Sequence, residues 1–191
     1  MAYLRDPDIT EKAPSNSISI LLPKIFNYRI KFLGFQNQEL TFQEYKYLTL
    51  NDKCQVVFTD CKITENKFIV PAEKLLQASP NLCQFSLYFD INKELSYCTS
   101  LTSKKLAEFP PFKYLKHFVL YNLSGNFNAL HFVEFIKKNY QNGNGSCAKF
   151  GVSFKENVSH QFIQNFKSVV NSSVISMKDV KREHIFFNGQ T

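Results

Sequence analysis

Missing from this chain are tryptophan, any C-x-x-C pair and any apolar run long enough to cross a bilayer. The five cysteines, Cys54, Cys61, Cys83, Cys98 and Cys147, form an odd set without zinc-knuckle spacing. That pattern argues against a disulfide framework and predicts reduced, mostly buried thiols. The opening Met-Ala-Tyr-Leu-Arg-Asp-Pro-Asp is charged and lacks the continuous apolar segment of a secretory signal. The expected location is therefore intracellular, cytoplasmic or nuclear, where the N-x-Ser sequons at Asn122, Asn157 and Asn171 carry no glycan. There is no Gly-rich phosphate loop, G-x-S-x-G elbow or H-E-x-x-H motif. Asn142-Gly-Asn-Gly145 lacks the third Gly and the Lys, and it follows a helical pattern, so it reads as a linker turn.

Titratable residues are scattered as well. The four histidines, His117, His131, His160 and His184, fall in different predicted elements. General acid–base work needs a positioned partner, so His131 and His160 read as helix-surface residues and His117 as a polar contact. Cys98 falls in a loop with no His nearby in sequence, which leaves it without the base a nucleophile requires. No catalytic residue, metal set or cofactor is expected, and the class indicated is a binding module rather than an enzyme.

What the chain does hold is globular: 191 residues, 44% hydrophobic, with 20 Phe and 9 Tyr, enough for one domain with a core of rings. The net charge is +7, but the basic residues come as isolated pairs such as Lys104-Lys105 and Lys137-Lys138. A basic nucleic-acid-binding domain therefore stays as the alternative to a protein-binding one. One phrase recurs three times: Leu82-Cys-Gln-Phe85-Ser-Leu87, Leu115-Lys-His-Phe118-Val-Leu120 and Cys147-Ala-Lys-Phe150-Gly-Val152. The starts lie 33 and 32 residues apart and each phrase leads into helical periodicity, the mark of like units stacked side by side.

Strand and helix alternate along the chain. Asn27 to Phe35 has a period of two, with Tyr28, Ile30 and Phe32 on one side and Arg29, Lys31 and Leu33 on the other. Thr41-Phe42-Gln43-Glu44 fits a capping box, after which Phe42, Tyr45 and Leu48 share a helix face. Val56 and Phe58 mark a second strand, Pro71 suits a first helical turn, and Ser79-Pro80 stops that helix. Downstream, strands are predicted over Leu82 to Phe89 and Leu115 to Tyr121, with a helix from Thr102 that ends at Pro110-Pro111. Asn128 caps the next helix, Ser159 opens the most regular one, and Ile185 to Phe187 closes the chain as a short strand.

Such alternation favours parallel pairing through right-handed crossovers. A doubly wound sheet would make the strands apolar on both faces. These strands instead place Gln84, Ser86 and Tyr88, then His117, Val119 and Tyr121, then Lys149, Gly151 and Ser153 opposite the core positions. The expected architecture is therefore α/β: a degenerate leucine-rich-repeat-like solenoid with a mainly parallel sheet, one covered face and one open face. Asp90, Leu123 and Lys155 stand where such repeats normally ladder Asn. The candidate partner-binding residues on the open face are Arg29, Lys31, Gln84, Tyr88, His117, Tyr121 and Lys149, with Gln55, Thr59, Ser86, Val119 and Ser153 around them. Tyr beside Arg and His suits a contact surface, because rigid rings bury area at low entropy cost while their polar tips hydrogen-bond.

Four stretches carry a resemblance: Leu40-Thr-Phe-Gln-Glu-Tyr-Lys-Tyr-Leu-Thr49, Ile69-Val-Pro-Ala-Glu-Lys-Leu75-Leu76, the strand around Leu82 to Phe89, and Asn128 to Asn139. They resemble the C-terminal region of expanded nematode F-box protein families, with the root-knot type the best fit, over residues 27 to about 187. The resemblance implies a repeat domain that selects substrates for a cullin ubiquitin ligase. The F-box itself, which docks on a Skp-type adaptor, takes some forty to fifty residues. Here residues 1–26 form an irregular segment with no F-box, in which Leu22-Pro23-Lys24-Ile25 only imitates the opening phrase. The implied partner is a protein captured by the repeat domain at 27–187, without adaptor docking, whether the chain is a family member that lost its adaptor module or a fragment of a longer one.

Overall fold

A computed structural model describes residues 32–50, 55–88, 96–140, 147–175, 177 and 184–187. Chain order gives β1 (Phe32–Gln36), β2 (Glu39–Thr41), α1 (Phe42–Thr49), β3 (Gln55–Thr59), β4 (Lys62–Glu65), β5 (Phe68–Ile69) and α2 (Ala72–Gln77). Then follow β6 (Gln84–Tyr88), α3 (Thr102–Glu108), β7 (His117–Leu123), α4 (Ala129–Asn139), β8 (Lys149–Phe154), α5 (His160–Ile175) and β9 (Ile185–Phe187). The main sheet is six-stranded and parallel, in the order β1-β3-β6-β7-β8-β9, so its strands lie side by side in the order in which the chain makes them. The fold is α/β, and the sheet order contains no reversal.

The sequence repeat is the hydrogen-bonding register. Phe85 pairs with Phe118 and Phe118 with Phe150; Leu87 pairs with Leu120 and Leu120 with Val152. All six are buried. Parallel strands in register place identical parities on one face, so the three phenylalanines meet the helices together. Phe135 of α4 lies 4.8 Å from Phe118 and 6.0 Å from Phe150, centroid to centroid, and Phe166 of α5 sits 6.1 Å from Phe132 and 5.0 Å from Phe154. The caps behave as their sequences predict. Thr41 accepts from the Glu44 amide while the Glu44 carboxylate accepts from the Thr41 amide, Asn128 Oδ1 accepts from the His131 amide at 3.1 Å, and Ser159 Oγ accepts from the Phe162 amide at 3.2 Å. Pro71 stands one residue earlier than expected, at the N-cap of α2.

The first strand reverses the predicted faces. Leu33 is buried and pairs with Val56, and Phe35 stacks on Phe58 at 5.5 Å, whereas Phe32 is 58% exposed. Apolar residues occur at both parities here, and the neighbouring strand decides which set goes inward. Arg29, Lys31 and the predicted start at Asn27 lie outside the described residues. Strands predicted to begin at Leu82 and Leu115 begin at Gln84 and His117, with both leucines buried just before them.

A second sheet that the sequence did not announce joins β2 to β4 in parallel and β4 to β5 antiparallel. Tyr97 ties it to the rest. Its hydroxyl accepts from the Ile63 amide at 2.7 Å and donates to the Cys61 carbonyl at 3.1 Å, and its own carbonyl accepts from the Ala72 amide. Between the sheets, Gln38 and Cys61 hold equivalent places, five residues beyond Leu33 and Val56. Both are buried, and each side chain reaches the carbonyl two residues back, Gln36 and Thr59 respectively. Asn37 and Asp60, just before them, both take positive φ (55° and 52°), as does Asn122 at the matching place after Phe118 (57°). Of the predicted ladder positions, Leu123 is a buried strand residue of β7, Lys155 is half-buried just after β8 with its amide donating to the Leu123 carbonyl, and Asp90 lies outside the described residues.

Candidate functional site

The sheet face away from the helices is built from the alternate residues of each strand, and the register sorts them into rows. One row reads Phe32, Gln55, Gln84, His117, Lys149 from β1 to β8. A middle row reads Gly34, Val57, Ser86, Val119, Gly151, Phe186. Beyond it stand Gln36, Thr59 and Tyr88, with Tyr121 edge-on to Tyr88 at 4.6 Å and 71°. The predicted residues Gln84, Tyr88, His117, Tyr121 and Lys149 are thus brought together on three adjacent strands. Arg29 and Lys31 cannot be added to them, because they lie outside the described residues.

This face is less open than its polarity suggests. Lys149 and Gln55 are exposed and Tyr88 is 42% exposed, but Gln84, His117 and Tyr121 are half-buried. Ser86, Val119 and Ser153, expected on the surface, are buried. Up to Phe186 at its end, the middle row is made of small residues and Val, and it lies low between larger neighbours. A glycine suits each flank of it: a Cβ at Gly34 would come within 2.8 Å of the Phe32 ring, and one at Gly151 would overlap the ring of Phe186. Phe186 also sits 5.8 Å from the His117 ring.

Burial first, and the Lys149 ammonium second, hold the His117 imidazole below its ordinary value of 6.5. The folded chain therefore favours neutral His117, and the sign of the linkage follows. Its contribution is complete above about pH 6.5 and is lost as pH falls through that value toward the folded one. In urea unfolding between pH 7.5 and 5.5, the wild type is expected to lose stability more steeply than His117→Gln; parallel losses would overturn this placement.

Charge on the rest of the molecule is arranged differently. Glu39, Glu65, Glu108 and Glu134 pair with Lys62, Lys74, Lys105 and Lys137, all away from this face. The Glu44 carboxylate serves the α1 cap, and Glu73 accepts from the Thr102 hydroxyl at 2.7 Å. Cys98 lies beside that last group in the loop before α3, and burial pushes its thiol well above the ordinary range, with Glu73 raising it further. A thiol so placed stays protonated and makes a poor nucleophile. Among the described residues no group of His, Cys, Asp or Glu side chains is arranged to hold a metal ion, and no helix is long and apolar enough to cross a membrane. Comparison of the chain with protein-family models, with curated proteins and with solved structures found no match.

Proposed function

We propose that this chain is a protein-recognition module, a leucine-rich-repeat-like domain akin to the substrate-selecting half of nematode F-box proteins, and that it meets its partner through the sheet face opposite the helices. One observation carries the reading: the register gathers Gln84, Tyr88, His117, Tyr121 and Lys149 from separate repeats onto one surface. The repeat architecture is supported by the in-order parallel strands and by Gln38 and Cys61, whose side chains bond to backbone at the place where such repeats carry their ladder residue. Paired tyrosines on a polar surface have the character of a binding hot spot, each worth about 2 kcal/mol when fully engaged.

The test is affinity capture from a nematode lysate with wild type beside the Tyr88→Ala, Tyr121→Ala double variant, with capture quantified protein by protein. Specific partners are expected to fall by about tenfold or more in the variant, while its circular dichroism is unchanged and no Skp-type adaptor appears with either form. Partners retained by the double variant would overturn the assignment of this face. Adaptor and cullin captured by both forms would restore direct ligase docking.

A further inference from the structure

The last strand carries a device that does not depend on the reading of the face. β9 is three residues long, lies at the margin of the main sheet and pairs with β8 alone among the described residues. Its middle residue reaches back over the sheet. A Cβ at Gly151 of β8 would come within 2.2 Å of the Phe186 ring, and that ring lies 5.8 Å from the imidazole of His117 on β7. Gly151 is thus the gap through which a side chain of β9 touches one two strands away. The remaining hold on β9 is small. Ile185 is buried, Phe187 packs on Phe166 at 6.3 Å under the Lys167 ammonium, and the Tyr140 hydroxyl shares a 2.7 Å hydrogen bond with His184 Nδ1 just ahead of the strand.

His117 is faced by Gln84 from β6, Lys149 from β8 and Phe186 from β9, with Val119 and then Tyr121 following along β7. Among these neighbours Lys149 carries the one charge, and it has the same sign as an imidazolium. A proton on His117 therefore creates a half-buried cation beside an ammonium, with water kept off by the Phe186 ring. Relief requires one neighbour to move. β7 and β8 are paired on both sides, and β7 carries Phe118 of the ring cluster, whereas β9 is a margin strand with one neighbour. Short margin strands belong to the parts of a fold that open at least cost. We propose that β9 is an acid-released strap: a proton on His117 lifts Phe186 from Gly151, and the strand leaves the sheet with it. Release bares the backbone edge of β8 at Phe150, Gly151 and Val152, which can then pair with an extended strand from another chain. Since the released chain returns His117 to its ordinary value, release takes up a proton. The released fraction is level above about pH 6.5 and grows by at most about tenfold per pH unit below it, until pH passes the closed chain's own value.

The experiment is amide hydrogen exchange of the full chain at pH 7.5, 6.5 and 5.5, with each rate divided by the intrinsic chemical rate at that pH. Protection of the Ile185, Phe186 and Phe187 amides is expected to lie below that of Phe118 and Leu120 throughout, and to fall about fivefold or more from pH 7.5 to 5.5. His117→Gln should make β9 protection level with pH, while His160→Gln, on an exposed residue of α5, should keep the fall. In a second measurement, the NMR titration midpoint of His117 is expected to move up toward 6.5 in Phe186→Ala, which keeps the test decisive if His117→Gln does not fold. Equal protection of β9 and β7 would show that the strand opens only with the whole domain and would overturn the proposal. So would β9 protection that rises in acid, which would mean that the Phe186 ring holds the imidazolium, or a midpoint unmoved by Phe186→Ala. A fall that survives His117→Gln and vanishes in His184→Gln would assign control to the Tyr140–His184 bond instead and overturn it as well.

Discussion

Phe118→Ala is expected to lower the unfolding free energy by about 3–5 kcal/mol, the cost of emptying a fully packed aromatic site. In a domain of this size that moves the melting temperature down by roughly 6–20 °C. The expectation rests on where the ring lies. Phe118 is fully buried in β7 and stacks on Phe85 at 5.9 Å, with Phe135 at 4.8 Å, Phe150 at 6.4 Å and Phe132 at 6.5 Å. It thus contacts one strand on each side and the helix above. Removing it strips one wall from four other rings, none of which can shift without leaving a neighbour. Phe118→Leu, which keeps much of the volume, is expected to cost less than half as much. A loss under about 1 kcal/mol for the alanine variant would mean that the cluster collapses freely into the space.

Tyr97→Phe is expected to cost about 2–3 kcal/mol although it deletes a single oxygen atom. The ring stays and so does its packing. What changes is that the Ile63 amide loses its acceptor and the Cys61 carbonyl loses its donor, both inside the core and both out of reach of water. Burial raises this phenol far above its ordinary value, so it serves as a fixed hydroxyl and takes no part in titration. Equilibrium urea unfolding reads the loss directly. Because the hydroxyl clamps β4 against the loop ahead of α3, amide exchange at Ile63 and Ala72 should accelerate before that of β7. A loss below about 0.5 kcal/mol would show that the second sheet does not depend on this clamp.

How legible all this was in the sequence depended on the length of each signal. The threefold phrase around Phe85, Phe118 and Phe150 was readable because parallel strands in register turn an equal spacing in sequence into adjacency in space. The capping box at Thr41 was readable because it closes within four residues. The second sheet was not, since β2, β4 and β5 are two to four residues long and too short to show a period. Phe32 and Leu33 could be assigned inward or outward with equal pattern support, and only pairing with Val56 chose between them. Tyr97 bonds to residues more than thirty positions away, which no local pattern reports. For the candidate site, the juxtaposition of Tyr88 and Tyr121 followed from the repeat, but the burial of Ser86, Val119 and Ser153 did not. A hint of that recess existed in Gly151, a glycine inside a strand, where a neighbour can approach the backbone closely.

The chain-ordered sheet also has a kinetic meaning. From one strand to its neighbour in the main sheet the chain advances between 23 and 36 residues, counted from strand start to strand start. Closing such loops costs nearly the same each time, with a spread of about 0.4 kcal/mol from shortest to longest. Polymer entropy therefore gives no pairing a head start, and no strand waits for a distant one to arrive. The order of assembly is left to whichever neighbours bury the most, and that is the ring cluster spanning β6, β7 and β8. Folding is expected to begin in the middle of the sheet and spread outward to both margins, so that the surface carrying Tyr88, His117 and Lys149 forms with the nucleus and the flanking strands close around it afterwards.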